Sequence, residues 1–410
     1  MNIDISKFKN IPFKKRRHCV VCGQKLGSPV IELPDFPITE IYVKKKINKK
    51  VGFVDQNFHF CKNCGHGQIS NIIDSEFLYG RWYVTRTSIS SSAVAAINVF
   101  LEFIDNILKG RPVKNIVEIG CNDLYTLKKL RKRADKLYGI DPILIGKEKQ
   151  FRDEKIEIIG DFFENVDLKK INGKIDVVLS SHTLEHIGEP KELIQRVIAN
   201  ANSNTLFFFQ FPSLEALVQS SRFDQVFHQH LNYFSLKSVV YMLNELGAEL
   251  IDFKINPYHW GTLMIAFKKK NKNNVVPHDK IANFLIHISN EKILKHYSIF
   301  KDCMNITKRQ LESLKDEKIY GYGAALMLPV LDYHLGGLKM IKCVIDDDKN
   351  KDGLYYLNLP IQIKHLDRIS DFKNSVFLVT AINSLQTARA IIKRLIEIET
   401  KQIIIPLNLI

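Results

Sequence analysis

Two cysteine pairs, Cys19-x-x-Cys22 and Cys61-x-x-Cys64, with 38 residues between them, constrain the start of the chain more than any other feature. Each CxxC makes a tight knuckle whose thiolates converge on one ion, and two knuckles complete a tetrahedral zinc site. Gly23 and Gly65 follow the second cysteine of each pair, where such a knuckle turns. A four-thiolate site has no open position, so it is expected to be structural. Neither pair sits at the strand-to-helix turn of a thioredoxin-like redox couple. His59 and His66 are alternative ligands by type, read here as packing residues. The stretch Leu33-Pro34-Asp35-Phe36-Pro37 reads as loop, VGFVDQNFHF (51–60) as strand, and no long amphipathic helix precedes Ser75.

Beyond residue 80 the pattern changes to alternating strands and helices. Strand-length apolar runs occur at 115–120, 136–141, 156–161, 175–180, 205–211, 249–255 and 261–267. Helix-period stretches lie between them, for example 124–133 and 190–201. Such alternation predicts an α/β domain with a largely parallel sheet covered on both faces. A Lys/Asn-rich break with Pro277 follows at 268–279, then a helical stretch to about 315. The β-α-β pattern then restarts with KIYGYGAALMLPVLDYH, KMIKCVIDDD, SVFLVTAI and QIIIPL. The expected division is 1–80, 81–268 and 269–410. A chain of 410 residues fits two to four domains.

Hydrophobic residues make up 45% and charged residues 25%, which rules out a disordered or collagen-like chain. The basic N-terminus has no apolar core of a secretory signal, and no run reaches the roughly 18–20 apolar residues of a membrane helix. A cytoplasmic protein without a membrane partner is the expectation. The formal charge of +15 favours anionic partners.

Glu118-Ile119-Gly120-Cys121-Asn122-Asp123 ends a strand and opens a helix, and Asp141 ends the next strand 21 residues after Gly120. A glycine there lets backbone approach a ligand, and an acid at the second strand end can hold a ribose diol. Dinucleotide folds and class I S-adenosylmethionine methyltransferases share this geometry. The full G-x-G-x-x-G is absent, which disfavours a pyrophosphate cofactor such as NAD. Asp161 and Phe162, after the third strand, are placed to flank an adenine. A ligand-free turn is the alternative for this motif.

Together these features resemble the three-part sugar C-methyltransferases that act on nucleotide-linked deoxy-ketosugars. The motifs that carry the resemblance are CVVCG with CKNCG, VEIGCND, SSHTLEHI, FDQVFHQHLNYFSL, and GYGAA followed by VIDDD. The resemblance spans nearly the whole chain. It implies a zinc-binding N-terminal domain, a class I (Rossmann-like) methyltransferase domain and a second Rossmann-like C-terminal domain beside the substrate cleft. It places Glu118, Gly120, Asn122 and Asp141 in the S-adenosylmethionine pocket, and His186 and Tyr83 at the sugar site. The family's active-site motif reads Tyr-His-Glu-His, where this chain has Phe227-His228-Gln229-His230. His230 matches the general base; the tyrosine and the glutamate are replaced, and Leu124 stands where a glycine is usual.

C-methylation beside a ketone needs a base for a carbon-bound proton and a donor for the developing oxyanion. Gln229 has an amide hydrogen to offer; Phe227 has no hydroxyl. O-methylation of a sugar hydroxyl needs only one base and alignment. On the strength of the resemblance alone, C-methylation of a nucleotide-linked sugar, in surface polysaccharide or secondary-metabolite biosynthesis, is the leading expectation. Sugar O-methylation comes second. His228 is expected to point away from His230, Phe223, Tyr233 and Phe234 to be core, and His259 to face the cleft.

A zinc-ribbon RNA methyltransferase and a donor-binding protein without turnover are the competing readings. Against the first, residues 180–183 read Ser-Ser-His-Thr where base N-methyltransferases carry an Asn/Asp-Pro-Pro-Tyr-like turn, and no RNA-binding motif is present. No nucleic-acid partner is expected.

Overall fold

The computed structural model describes residues 4–78, 86–168, 171, 173–270, 287–382 and 385–406. Tyr83 and most of the 268–279 break lie outside these residues.

The central sheet has seven strands. Their order is Ala248–Asn256, Thr262–Lys269, Leu206–Pro212, Val177–Ser181, Val113–Ile119, Ala134–Ile140, Ile156–Ile159. Thr262–Lys269 runs antiparallel to both of its neighbours, and the remaining pairs are parallel. Leu206–Pro212 is buried at every position, as expected of a strand covered on both faces. The strands match the apolar runs in the sequence. The helix expected at 124–133 is shorter, Tyr125–Leu130.

One covering helix, Ser91–Leu108, has a mean hydropathy of 1.4 over 18 residues, long and apolar enough to span a membrane by composition. It contains Glu102 and Asp105, and its Phe100, Phe103 and Ile104 are buried in the sheet's core cluster. Asn256 Nδ2 donates to the Ala96 carbonyl at 2.9 Å, tying the helix to the sheet edge.

The cysteine-bearing segment builds an antiparallel sheet from Ile31–Pro37, Phe53–Phe60 and Gly67–Ile69. The stretch 33–37, expected as loop, lies within the first of these strands, with a register shift between Leu33 and Phe36. The fourth strand, Asn232–Tyr233, comes from beyond His230 and pairs with Gly67 and Gln68. The N-terminal sheet is thus closed by residues of the middle segment.

The C-terminal sheet is parallel, in the order Ile363–His365, Ile341–Asp346, Lys318–Tyr322, Ser375–Val379, Gln402–Ile404. The strand Ile363–His365 has no counterpart in the sequence reading: it is three residues long and follows Pro360. The helix Asn290–Ser313, capped by Ser289, buries Ile293, Phe300, Met304, Thr307 and Leu311 along one face. One apolar cluster joins Phe36 and Phe58, Leu214 and Phe223, Phe300, and Leu328 and Val344, so all three segments share it.

Candidate functional site

The metal centre forms where the pairs predict it. Cys19 and Cys64 Sγ lie 3.5 Å apart, Cys22 and Cys61 Sγ 3.4 Å, and the four sulfurs lie within 4.8 Å of one another. A tetrahedral ion with bonds of about 2.3 Å to sulfur fits such a cluster. Gly23 and Gly65 take φ of +73° and +79°, and their amides donate to the Cys19 and Cys61 carbonyls at 2.8 Å. The four thiols share hydrogen bonds that lower Cys61 and raise Cys19 and Cys64, so they titrate as one group. His66 instead packs on Phe234, ring centroids 4.9 Å apart.

At the first glycine turn, Gly120 has φ +75°. A Cβ there would meet Thr183 Oγ1 at 2.0 Å, so the turn and the 181–183 strand end pack as one surface. Asn122 (φ +47°) and Leu124 (φ +65°) also adopt the left-handed region, costly for a side chain and retained at sites that need the turn. Glu118 is buried, its Oε2 has no partner among the described residues, and burial raises its carboxyl to about 8. Asp123 Oδ1 is likewise buried and unpaired. Asp141 accepts from the Asn122 amide (2.7 Å) and the Ile143 amide (2.9 Å) and is raised by burial. Asp161 accepts from the Phe162 amide (2.8 Å) and Asn165 Nδ2 (2.9 Å).

Next to this turn stands a cluster of histidines. His182, with φ +53°, sets its ring 4.3 Å from His259, and Ser92 Oγ at the start of the covering helix lies 3.3 Å from His259 Nδ1. His182 Nδ1 is 3.3 Å from Glu185 Oε1, and His186 Nε2 is 3.8 Å from the same oxygen. His186 Nδ1 donates to the Gln229 carbonyl at 2.8 Å. His230 is 5.1 Å from His186 and 4.1 Å from Phe227 between ring centroids, the latter pair tilted by 37°. Its Nδ1 has no partner among the described residues. Burial lowers His182 to about 3 and, with His186 next, pushes His230 well below its ordinary range. Burial raises Glu185 to about 7, and its Oε2 is unpaired. The cluster sets His182, His186 and His230 around the buried Glu185, with burial lowering His182 and His230 and raising the carboxyl.

The other sequence-derived residues divide. His228 points away from His230: its Nδ1 meets Gln56 Nε2 at 3.0 Å and its Nε2 meets the Phe36 carbonyl at 3.2 Å. The Gln229 amide, expected to serve an oxyanion, is turned elsewhere. Its Oε1 accepts from Thr39 Oγ1 at 3.0 Å and its Nε2 donates to the Thr39 carbonyl at 3.3 Å, bridging to the zinc segment. Phe223, Tyr233 and Phe234 are core. Glu185, Gln225, Gln210 and Trp260 have buried unpaired polar atoms at or beside the cluster, yet none was singled out from the sequence. Only spatial neighbours reveal them.

The second glycine turn is filled. Gly323 has φ +96°, and Asp346 Oδ2 accepts from the Ala324 amide (2.7 Å) and from Lys351 Nζ (3.1 Å). The zinc segment closes over it: Tyr42 Oη donates to the Ala324 carbonyl (2.7 Å) and the Glu40 amide to that of Leu326 (3.4 Å). Tyr356 Oη takes the Ala325 carbonyl at 2.9 Å.

Family models match three successive stretches: a zinc binding domain over residues 19–79, a methyltransferase domain over 95–252, and a C-methyltransferase C-terminal domain over 257–407. The C-methyltransferase NovU of Streptomyces niveus is 24% identical over 213 residues, 50% of this chain and 49% of that protein. The chain thus spans about half the length of this curated relative. Similar solved structures include the N-methyltransferase NodS of Bradyrhizobium japonicum WM9 with S-adenosyl-L-homocysteine. It has a TM-score of 0.34 and 14% identity, covering 42% of this chain and 87% of that one. Magnesium protoporphyrin IX methyltransferase ChlM of Synechocystis PCC 6803 has a TM-score of 0.36 and 14% identity, covering 47% and 91%.

Proposed function

The chain belongs to the three-domain C-methyltransferase family, and from that premise we propose that it methylates carbon beside the keto group of a nucleotide-linked sugar. The observation that carries this reading is the pair of buried, unpaired atoms beside the Gly120 turn, His230 Nδ1 and Glu185 Oε2. Buried polar atoms are normally hydrogen-bonded, and perturbed titratable groups gather where a reaction uses them.

In this proposal the Gly120 turn, Asn122 and Asp141 receive the donor's amino-acid and ribose ends, and Asp161 and Phe162 flank the adenine. S-adenosylmethionine bound there supplies an electrophilic methyl group. Glu118, beside the turn, favours a cationic ligand. His230 is held neutral, so it takes the proton from the sugar carbon next to the ketone, and the electron pair moves onto the keto oxygen. Glu185, half protonated near pH 7, donates to that oxygen and supplies what Phe227 and Gln229 lack. His186, fixed by the Gln229 carbonyl, orients Glu185 and His230. Tyr83 at the sugar remains part of the proposal. The zinc segment supports the motif from behind through Thr39 and Gln229. We place the reaction in the cytoplasm, in the assembly of a surface polysaccharide or a secondary metabolite.

The test is mass spectrometry after incubation with methyl-labelled S-adenosylmethionine and a panel of sugar nucleotides with and without a 4-keto group. Label on carbon of keto sugars alone is the expected result. Label on hydroxyl oxygens of plain sugars means an O-methyltransferase, and label on neither overturns the reading. In the same assay His230→Ala should lower turnover by roughly 10²–10⁴-fold and spare donor binding.

A further inference from the structure

Glu185, His186 and His230 each offer one ligand atom, and the three atoms lie within 4.8 Å of one another. They come from two separate places in the chain. Glu185 and His186 lie in the turn Leu184–His186 after the strand Val177–Ser181, and His230 lies just before Asn232–Tyr233. Two imidazoles and a carboxylate are a ligand set that divalent transition ions take readily, and without a thiolate it differs in kind from the cysteine site. Mg2+ and Ca2+ prefer shells of oxygen alone, so the set favours ions of the zinc and cobalt class.

The spacing suits one ion. A tetrahedral ion with bonds of about 2.0–2.2 Å sets its ligand atoms about 3.4 Å apart. His186 Nε2 stands 3.8 Å from Glu185 Oε1, close to that value. The outer torsions of a carboxylate and an imidazole are broad, so a small rotation of Glu185 and His230 closes the rest.

Each ligand also has an outer partner. His186 Nδ1 donates to the Gln229 carbonyl at 2.8 Å, His182 Nδ1 lies 3.3 Å from Glu185 Oε1, and the Gln225 backbone hydrogen-bonds the His230 ring. Metal-ligating histidines and carboxylates are oriented in this way, by a carbonyl or a second side chain. The atoms facing no partner are the ones an ion would take. Glu185 and His230 are 1% and 3% exposed, and Glu185 Oε2 and His230 Nδ1 are unmatched among the described residues. The His186 side chain is 23% exposed and gives an ion a way in from solvent.

We propose that Glu185, His186 and His230 form a second metal site, for one divalent ion of the zinc or cobalt class, and that the ion shuts the reaction off. Bound there, it occupies the ring nitrogen that would receive the carbon-bound proton and the carboxyl that would donate to the keto oxygen. The ion and the keto end of the acceptor therefore exclude each other. The binding stands on the geometry alone, and its effect on turnover rests on the methyltransferase reading.

The test uses the full-length protein carrying its structural zinc, with Co2+ as the probe. Wild type should bind one further equivalent, with visible d–d bands and no sulfur-to-cobalt charge transfer in the near ultraviolet. X-ray absorption at the cobalt edge should show nitrogen and oxygen neighbours with two imidazoles. His230→Ala and Glu185→Gln should each weaken this binding by more than the roughly 10–100-fold that loss of an outer partner costs. Wild type that binds no further cobalt overturns the site, and the unmatched atoms then hold only water. Cobalt that both variants keep at full affinity, or that shows sulfur ligation alone, overturns it as well. Should a substitution unfold the chain, the wild-type absorption edge decides. Added Zn2+ should inhibit methylation of a thymidine diphosphate-linked 4-keto-6-deoxyhexose, competitively with the sugar nucleotide and not with S-adenosylmethionine. Binding without inhibition, or stimulation by the ion, overturns the shut-off. If no sugar nucleotide is methylated, the functional reading and the shut-off fall together, and the cobalt titration still decides the site.

Discussion

Two glycine turns of the same design meet opposite fates in this molecule. Gly120 and Gly323 each end the first strand of a parallel β-α-β unit, each has positive φ, and each is followed by an acid at the next strand end, Asp141 or Asp346. Around Gly120, Glu118 Oε2 and Asp123 Oδ1 are buried and have no partner among the described residues. Around Gly323 the acid is met by Lys351 and the loop carbonyls by Tyr42, Tyr356 and the Glu40 amide. One turn leaves polar atoms without a partner among the described residues, and the other uses them to seat the zinc segment. A strand–glycine–helix pattern therefore marks a place where backbone can be approached, and the surrounding partners decide what approaches it.

The largest test of this contrast is to remove the segment that fills the second turn. Cys61→Ser should release zinc and unfold the N-terminal sheet, since structural zinc in small domains carries on the order of 10–16 kcal/mol of folding free energy. Metal analysis and a melting curve measure the loss. Hydrogen exchange should then rise at residues 324–327, while S-adenosylhomocysteine still protects the Gly120 turn. Equal deprotection of both turns would break the contrast.

Substituting the glycines themselves comes next. Gly120→Ala sets a methyl group at 2.0 Å from Thr183 Oγ1 and should weaken donor binding by about 100-fold or more. Gly323→Ala meets Ala381 Cβ at 2.4 Å and should lower Tm while leaving donor affinity intact. Calorimetry with S-adenosylhomocysteine and a thermal melt distinguish the two. A loss of donor affinity in Gly323→Ala would assign a ligand to the second turn.

The third effect depends on pH. Burial raises Glu118 from 4.5 to about 8, so the folded state binds its proton more tightly than the unfolded state. Its contribution to stability is full below pH 4.5 and is lost as pH rises through 8. A cationic donor favours the ionised carboxylate. Affinity for S-adenosylmethionine should therefore tighten about tenfold per unit from pH 6 to 8, with release of a proton. Titration calorimetry in buffers of different ionisation enthalpy measures both. Affinity independent of pH would show that Glu118 does not face the donor.

The smallest effect is at the seal. Tyr42→Phe removes the hydroxyl on the Ala324 carbonyl and should cost about 1 kcal/mol of stability with no change in turnover. A change in KM for the acceptor would connect the seal to the substrate cleft.

Much of this was legible in the sequence, for physical reasons. Runs such as LFFFQF are apolar at successive positions because both sheet faces are covered, and the cysteine spacing fixes its own geometry. The strand Ile363–His365 is too short for a periodic signal, and it takes its place from pairing with Ile341–Asp346. In the site, the His-x-His motif pointed to His230 and the strand ends pointed to the Gly120 turn. Glu185, Gln225 and Trp260 became visible only through what they lack, a hydrogen-bond partner, and that is a property of folded neighbours. Gln229 misled because a side chain's chemistry does not give its direction, and here it faces Thr39.

The apolar cluster shared by all three segments has a consequence for modularity. The middle segment contributes Leu214, Leu217, Val218, Phe223 and Phe227 to it. Expressed alone, that segment would present these side chains to water as a sticky patch, and it would also lose the partner strand for Asn232–Tyr233. The methyl-transferring unit is thus not a portable cassette. Recombination that swaps one segment must carry the matching faces of the other two.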